Sequence, residues 1–171
     1  EKQRRASRAA IRQVVEQTLA ARGERSADIR AREIRHQAVD PDALALDVVA
    51  YESSVGEELF LQFITPERKI AAFLRLSLPS EPLLLPELDG AAMIREVHVY
   101  GQSLVVGDEA PGRAQHSGLG ARLIEHAASI ARERGYRRLA VISAVGTRAY
   151  YRKRGFTDGE LYQMRDLAPA N

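Results

Sequence analysis

The chain has 171 residues, 45% hydrophobic and 28% charged, with a formal net charge of +2, which fits one soluble domain with a substantial core and excludes disorder throughout. It contains no cysteine, which excludes disulfides, thiolate metal sites and iron-sulfur clusters from this stretch. His36, His98, His116 and His126 have no metal-ligand spacing, so no metal is expected. No run of about 18 apolar residues is present to cross a bilayer, and Glu1-Lys2-Gln3-Arg4-Arg5 leads into no apolar signal segment. A cytoplasmic chain without membrane attachment is expected, and the missing initiator methionine points to a piece of a longer protein.

Charge is uneven along the chain. Residues 1–35 hold ten Lys/Arg against five Asp/Glu, net +5, leaving fifteen against eighteen, net −3, for the rest. In this basic arm Ile11, Val14, Val15, Thr18 and Leu19 recur at helical spacing, and Gly23 stops the pattern. Arg4, Arg5, Arg8, Arg12 and Arg22 lie largely off the apolar stripe, so a helix packing that stripe against another surface is expected. A second cluster, Ile29 to Arg35, carries Arg30, Arg32 and Arg35. It reads either as a phosphate-contacting segment or as a solvated linker face. The division expected is a basic helical arm and linker over 1–42 and a folded domain over 43–171.

Strand patterns follow. Ala45 to Glu52, Leu59 to Ile64 and Ile70 to Leu78 are short apolar or alternating runs separated by turn residues, the spacing of an antiparallel meander that Pro79 ends. Ser80 to Gly90 reads as a loop and Met93 to Tyr100 as a fourth strand. Residues 101–114 read as a loop in which Leu104-Val105-Val106 can pair briefly; with Asp108 and Glu109 close in sequence to an anion site, it reads either as a gate on entry or as a passive surface insertion. A helix then runs to about Arg134, with Leu123, Ala127, Ile130 and Ala131 on one face and Gly135 as its stop. Leu139 to Ser143 gives a fifth strand, Thr147 to Arg154 a short helix, and Glu160 to Leu167 a last strand.

Two motifs carry chemistry. Gln115-His116-Ser117-Gly118-Leu119-Gly120 has the form Q-x-x-G-x-G at a helix start, where Gly118 and Gly120 allow a tight turn and close approach, so that unpaired backbone N–H groups can face a pyrophosphate. Tyr150-Tyr151-Arg152-Lys153-Arg154-Gly155-Phe156 contains Y-x-x-x-G-F, which places a phenol that holds its proton at neutral pH near a ligand's sulfur. Correctly ordered and separated by one strand, the pair points to acetyl-CoA.

The order of elements and these two runs resemble the GNAT superfamily of acyl-CoA N-acyltransferases. More closely, Ile94 to Gly101 (IREVHVYG), Gln115 to Gly120 (QHSGLG), Val141 to Phe156 (VISAVGTRAYYRKRGF) and the Ile29 to Ile34 segment (IRAREI) resemble the C-terminal domain of the Elongator catalytic-subunit family. The resemblance implies an α/β (α+β) fold whose mixed, mostly antiparallel central sheet splays between its fourth and fifth strands and is flanked by helices. It implies an acetyl-CoA-binding acetyltransferase or acetyl-CoA hydrolase domain of an enzyme that carboxymethylates the wobble uridine of tRNA. A radical S-adenosylmethionine domain in cis, absent from this stretch, carries the iron-sulfur cluster. A stand-alone GNAT acetylating protein lysine or a small amine, and a noncatalytic tRNA-binding module, remain as alternatives.

Matched residue by residue, the resemblance assigns Gly118, Leu119, Gly120, Ala121 and Arg122 to the pyrophosphate turn, with Gln115 and His116 at its entry. It assigns Glu96, Val97, His98 and Val99 to the strand that holds pantetheine. On that strand Glu96 and His98 share one face, Val97 and Val99 the other. Glu96 or His98 is a general-base candidate, and Glu96 can equally be a structural carboxylate paired with Arg75 or Arg95. Tyr151 is the expected thiolate acid, with Tyr150 read as core packing. Arg30, Arg32 and Arg35 are the expected tRNA contacts. Ser77, Ser117 and Ala149 depart from the family's usual arginine, glutamine and asparagine.

Overall fold

β2 (Gly56–Ile64) and β3 (Ile70–Pro79) are buried along nearly their whole length, and each is paired on both sides. They continue an antiparallel meander that starts at β1 (Ala45–Ser53) and ends at β4 (Ala91–Val99). β5 (Arg138–Val141) lies parallel to β4, and β6 (Thr157–Asp158) and β7 (Gln163–Asp166) close a seven-stranded sheet in the order β1-β2-β3-β4-β5-β7-β6. The computed structural model describes residues 2–24, 26–34, 39–100 and 118–167.

The helices are α1 (Lys2–Ala21), α2 (Ile29–Arg32), α3 (Leu119–Glu133) and α4 (Arg148–Arg152). α3 lies on one sheet face. Leu119, Leu123, Ile124, Ala127, Ala128 and Ala131 bury there against Leu59, Leu61, Phe63, Leu74, Ile94 and Leu139, the alanines allowing close approach. Gly135, at φ +86°, ends the helix as the sequence predicts, and the Tyr136 N–H reaches back to the Ala131 carbonyl. No helix among the described residues is long and apolar enough to cross a membrane.

Three expectations change. First, the last strand is a hairpin: Glu87 accepts hydrogen bonds from the Leu161 and Tyr162 N–H groups at 3.0–3.2 Å and fixes a turn between β6 and β7, a contact 74 residues away that local pattern cannot reveal. Second, the basic arm is tied to the sheet and not only a linker: Ile34 is buried in the core under α3 and its N–H bonds the Ile70 carbonyl at 3.1 Å. Third, the α1 stripe is exposed, with Ile11 at 63%, Val14 at 61% and Val15 at 48%. The expected packing of that stripe is not formed among the described residues. The side chains of Arg4, Arg5, Arg8 and Arg12, and Leu104-Val105-Val106, lie outside the described residues.

Arg165 of β7 clasps Glu125 of α3 through two hydrogen bonds of 2.6 and 2.9 Å. These bonds hold the Glu125 carboxyl below its ordinary 4.5. A depressed carboxyl stabilises the fold above its unfolded value and loses that contribution as pH falls through the folded value. Glu125→Gln is therefore expected to be less stable than the parent at neutral pH, within the ~0.2–1 kcal/mol of an exposed pair. The difference should shrink as pH falls through the folded carboxyl's value, read as Tm against pH.

Candidate functional site

β4 pairs with β5 only from Ala91 to Ile94, where β5 ends at Val141, while β4 runs on to Val99. At that point the β3–β4 register slips: Arg75 faces Glu96 and Leu76 faces Ile94, so Arg95 is an extra residue, a β-bulge. The β4–β5 pairing ends at the same place. Among the described residues no strand pairs with the β5-side edge of β4 beyond Ile94, which leaves backbone donors and acceptors there for an extended ligand.

The bulge also decides which side chains face which way. Ala92, Ile94 and Val97 join the core under α3, and a Val99 methyl lies beside the first turn of that helix. Without the extra residue, Glu96 would follow Ile94 onto this face. Glu96 and His98 instead lie on the opposite face. Glu96 stands 3.8 Å from the Arg75 guanidinium, one of the two arrangements the sequence leaves open for it. The His98 ring stacks on Phe73 at 5.7 Å and meets Tyr100 at 4.6 Å. With Asp28, Arg30, Glu33 and Tyr100 they line a cavity of about 580 Å³. The Tyr100 phenol is pushed up to about 12, first by burial and then by Glu33 and Glu96.

On the α3 face, three elements meet at Gly120. Gly118 occupies the N-cap of α3 with no side-chain cap, so the first N–H groups, on Leu119, Gly120 and Ala121, have no intrahelical acceptor and form a cradle suited to an anion at the positive end of a fifteen-residue helix. A Cβ on Gly120 would come within 2.7 Å of the Tyr150 hydroxyl and 3.5 Å of Val99 Cγ2. Arg122 lays its guanidinium over the Phe63 ring at 4.5 Å, so its part in the turn is its backbone. The cradle and the open edge of β4 fit a pyrophosphate followed by an extended pantetheine arm. Gln115 and His116 lie outside the described residues.

The tyrosines divide differently from the sequence expectation. Tyr151 is buried, with its ring edge-on to Tyr150 at 5.3 Å and to Phe156 at 5.4 Å. Burial pushes its phenol above the ordinary value, and the neighbouring Tyr150 adds to this. Tyr150, read from sequence as packing alone, is only half-buried and sends its hydroxyl to Gly120. Arg154 covers its ring at 3.4 Å.

In the arm, Asp28 caps α2 by accepting from the Arg30 N–H at 2.7 Å. The segment is a helical turn, so Arg30 and Arg32, two residues apart, point to different sides. Arg32 donates from Nε to the Arg68 carbonyl and from Nη2 to the Gln62 side chain, both at 3.0 Å. Its guanidinium therefore joins arm to sheet, which departs from the free phosphate contact expected of it. Arg30 is exposed, and Arg35 lies outside the described residues.

A model of the acetyltransferase (GNAT) family matches residues 29–156. Elongator complex protein 3 of Danio rerio is 41% identical over 147 residues, 82% of this chain and 27% of that protein. A tRNA uridine(34) acetyltransferase of Dehalococcoides mccartyi (strain CBDB1) is 36% identical over 156 residues, 85% of this chain and 33% of the relative. Among solved structures, the archaeal Methanocaldococcus infernus Elp3 with an N-terminal deletion matches with a TM-score of 0.75 and 31% identity, covering 91% of this chain and 38% of that one. The chain thus spans about a quarter to a third of the length of these curated relatives. A match over residues 29–156, together with a sheet opened between β4 and β5 against the start of α3, places the chain in the acetyltransferase (GNAT) family, as a domain of the acyltransferase class.

Proposed function

We propose that this chain is the acetyl-CoA-binding domain of an enzyme that carboxymethylates the wobble uridine of tRNA, working with a radical S-adenosylmethionine domain elsewhere in the longer protein. The observation that carries the reading is the parting of β4 from β5 at the Arg95 bulge, directly beside the uncapped start of α3. The similarity to Elongator complex protein 3 and to a tRNA uridine(34) acetyltransferase supports the tRNA part. Bound acetyl-CoA supplies an activated two-carbon acyl group. The backbone N–H groups of Leu119 to Arg122 hold the pyrophosphate, and the free edge of β4 from Glu96 to Val99 holds pantetheine. Tyr151 keeps a proton on its phenol oxygen at neutral pH, available to a departing thiolate. Glu96 or His98, on the far side of the parted strands, accepts a proton directly or through water. Isothermal titration with acetyl-CoA, then with tRNA present, tests this: saturable acetyl-CoA binding is expected, and its absence would refute the assignment.

A second reading, acetylation of an amine, is favoured by one observation. The cavity beside Glu96 joins the carboxylates of Asp28, Glu33 and Glu96 to the rings of Phe73, His98 and Tyr100, a lining suited to an organic cation. Steady acetylation of a small amine or of protein lysine without RNA would establish it.

The arm contributes to tRNA binding through charge in this proposal. Arg30→Ala should flatten the log-log salt dependence of tRNA binding by roughly one unit without altering acetyl-CoA affinity. Arg32→Ala should lower thermal stability, because it leaves the buried Gln62 amide oxygen without its donor. Filter binding over a salt series, beside thermal melts, separates the two roles; an unchanged slope for Arg30→Ala would make the arm a solvated linker.

A further inference from the structure

Tyr150 packs its ring against the core and turns its hydroxyl to the start of α3. Its hydroxyl lies against the backbone of the first turn of α3, 2.7 Å from where a Cβ on Gly120 would sit. Its ring is pinned: the Arg154 guanidinium lies 3.4 Å above it, and Arg154 Nη1 donates to the Tyr150 carbonyl at 2.7 Å. Arg154 Nε is buried without a partner among the described residues, so the guanidinium is placed by the ring and the carbonyl. Burial raises the Tyr150 phenol above its ordinary value and the Arg154 charge opposes this, leaving a protonated donor at neutral pH.

We propose that the Tyr150 hydroxyl donates a hydrogen bond to the diphosphate of acetyl-CoA at the start of α3, with Arg154 as the residue that positions its ring. This rests on the acetyl-CoA reading above. A phenolic donor to an anion is among the stronger hydrogen bonds, and here it adds a side-chain contact to a cradle otherwise made of backbone N–H groups. Gly120 thereby acquires a second role. It leaves room for the hydroxyl as well as for the ligand.

The test titrates the 171-residue protein with acetyl-CoA and with 3′-phosphoadenosine 5′-diphosphate, the half of the cofactor that holds a diphosphate but no pantetheine. Tyr150→Phe should weaken both by about tenfold, the loss of one hydrogen bond to a charged group. Gly120→Ala should weaken both in the parent and cost less in the Tyr150→Phe background, where the Cβ still faces the ligand but no longer meets a hydroxyl; the nearest ring carbon, Cζ, lies 3.8 Å away. Arg154→Met should weaken both ligands less than Tyr150→Phe does, and Arg154→Lys, which keeps a cation over the ring, should recover part of the loss. Unchanged affinity in Tyr150→Phe, or a loss confined to acetyl-CoA, overturns the diphosphate contact. Equal behaviour of Arg154→Met and the parent overturns the positioning role. Failure of the parent to bind acetyl-CoA would instead overturn the cofactor reading itself.

Discussion

Gly120→Glu is expected to abolish acetyl-CoA binding, with a loss of at least about 100-fold, while circular dichroism stays that of the parent. Two effects combine. The first carbon of any side chain there enters a space bounded by the Tyr150 hydroxyl and a Val99 methyl, and the rest must extend into the mouth of the cradle where the pyrophosphate lies. The carboxylate then puts negative charge at the helix end that attracts an anion, so repulsion adds to exclusion. The fold survives because the nearest atom belongs to the half-buried tip of Tyr150 and not to backbone. Titration calorimetry decides the matter: a folded Gly120→Glu protein binding acetyl-CoA like the parent would remove the turn from the site.

Tyr151→Phe is expected to lower the rate of thiol release from acetyl-CoA by about 100-fold, the lower end of what general acid catalysis contributes, with acetyl-CoA affinity changed little. The ring sits among Tyr150, Phe156 and the core under α3, and phenylalanine keeps those contacts, so the missing oxygen is what the experiment reads. The pH dependence has a defined sign. A phenol is an acid only below its pKa, and burial raises that of Tyr151, so the acid-dependent rate should hold across neutral pH and decline only above the ordinary value of 10. The variant should lack that alkaline decline. Parent-like turnover in Tyr151→Phe would show that the proton comes from elsewhere.

The local patterns that determine secondary structure were legible in the chain. Gly135 stops α3, the meander from Ala45 to Pro79 alternates or buries both faces, and the two glycines of Q-x-x-G-x-G stand where a helix opens beside a strand end. These are short-range effects, set by dihedral freedom and by side-chain period, so sequence alone carries them. Tertiary structure decided what depends on distant partners. The bulge at Arg95 follows from pairing with β3, and it alone sends Val97 and Val99 toward α3 and Glu96 and His98 away. The hairpin of β6 and β7 depends on Glu87, and Arg32 is drawn from solvent to Gln62 and Arg68 by a sheet that begins more than ten residues later. Of two adjacent tyrosines, one enters the core beside Phe156 and the other reaches Gly120, a choice set by tertiary neighbours. Adjacent residues on a helix point about 100° apart, so the doublet fixes that the two rings diverge, and only the neighbours fix which one meets the site.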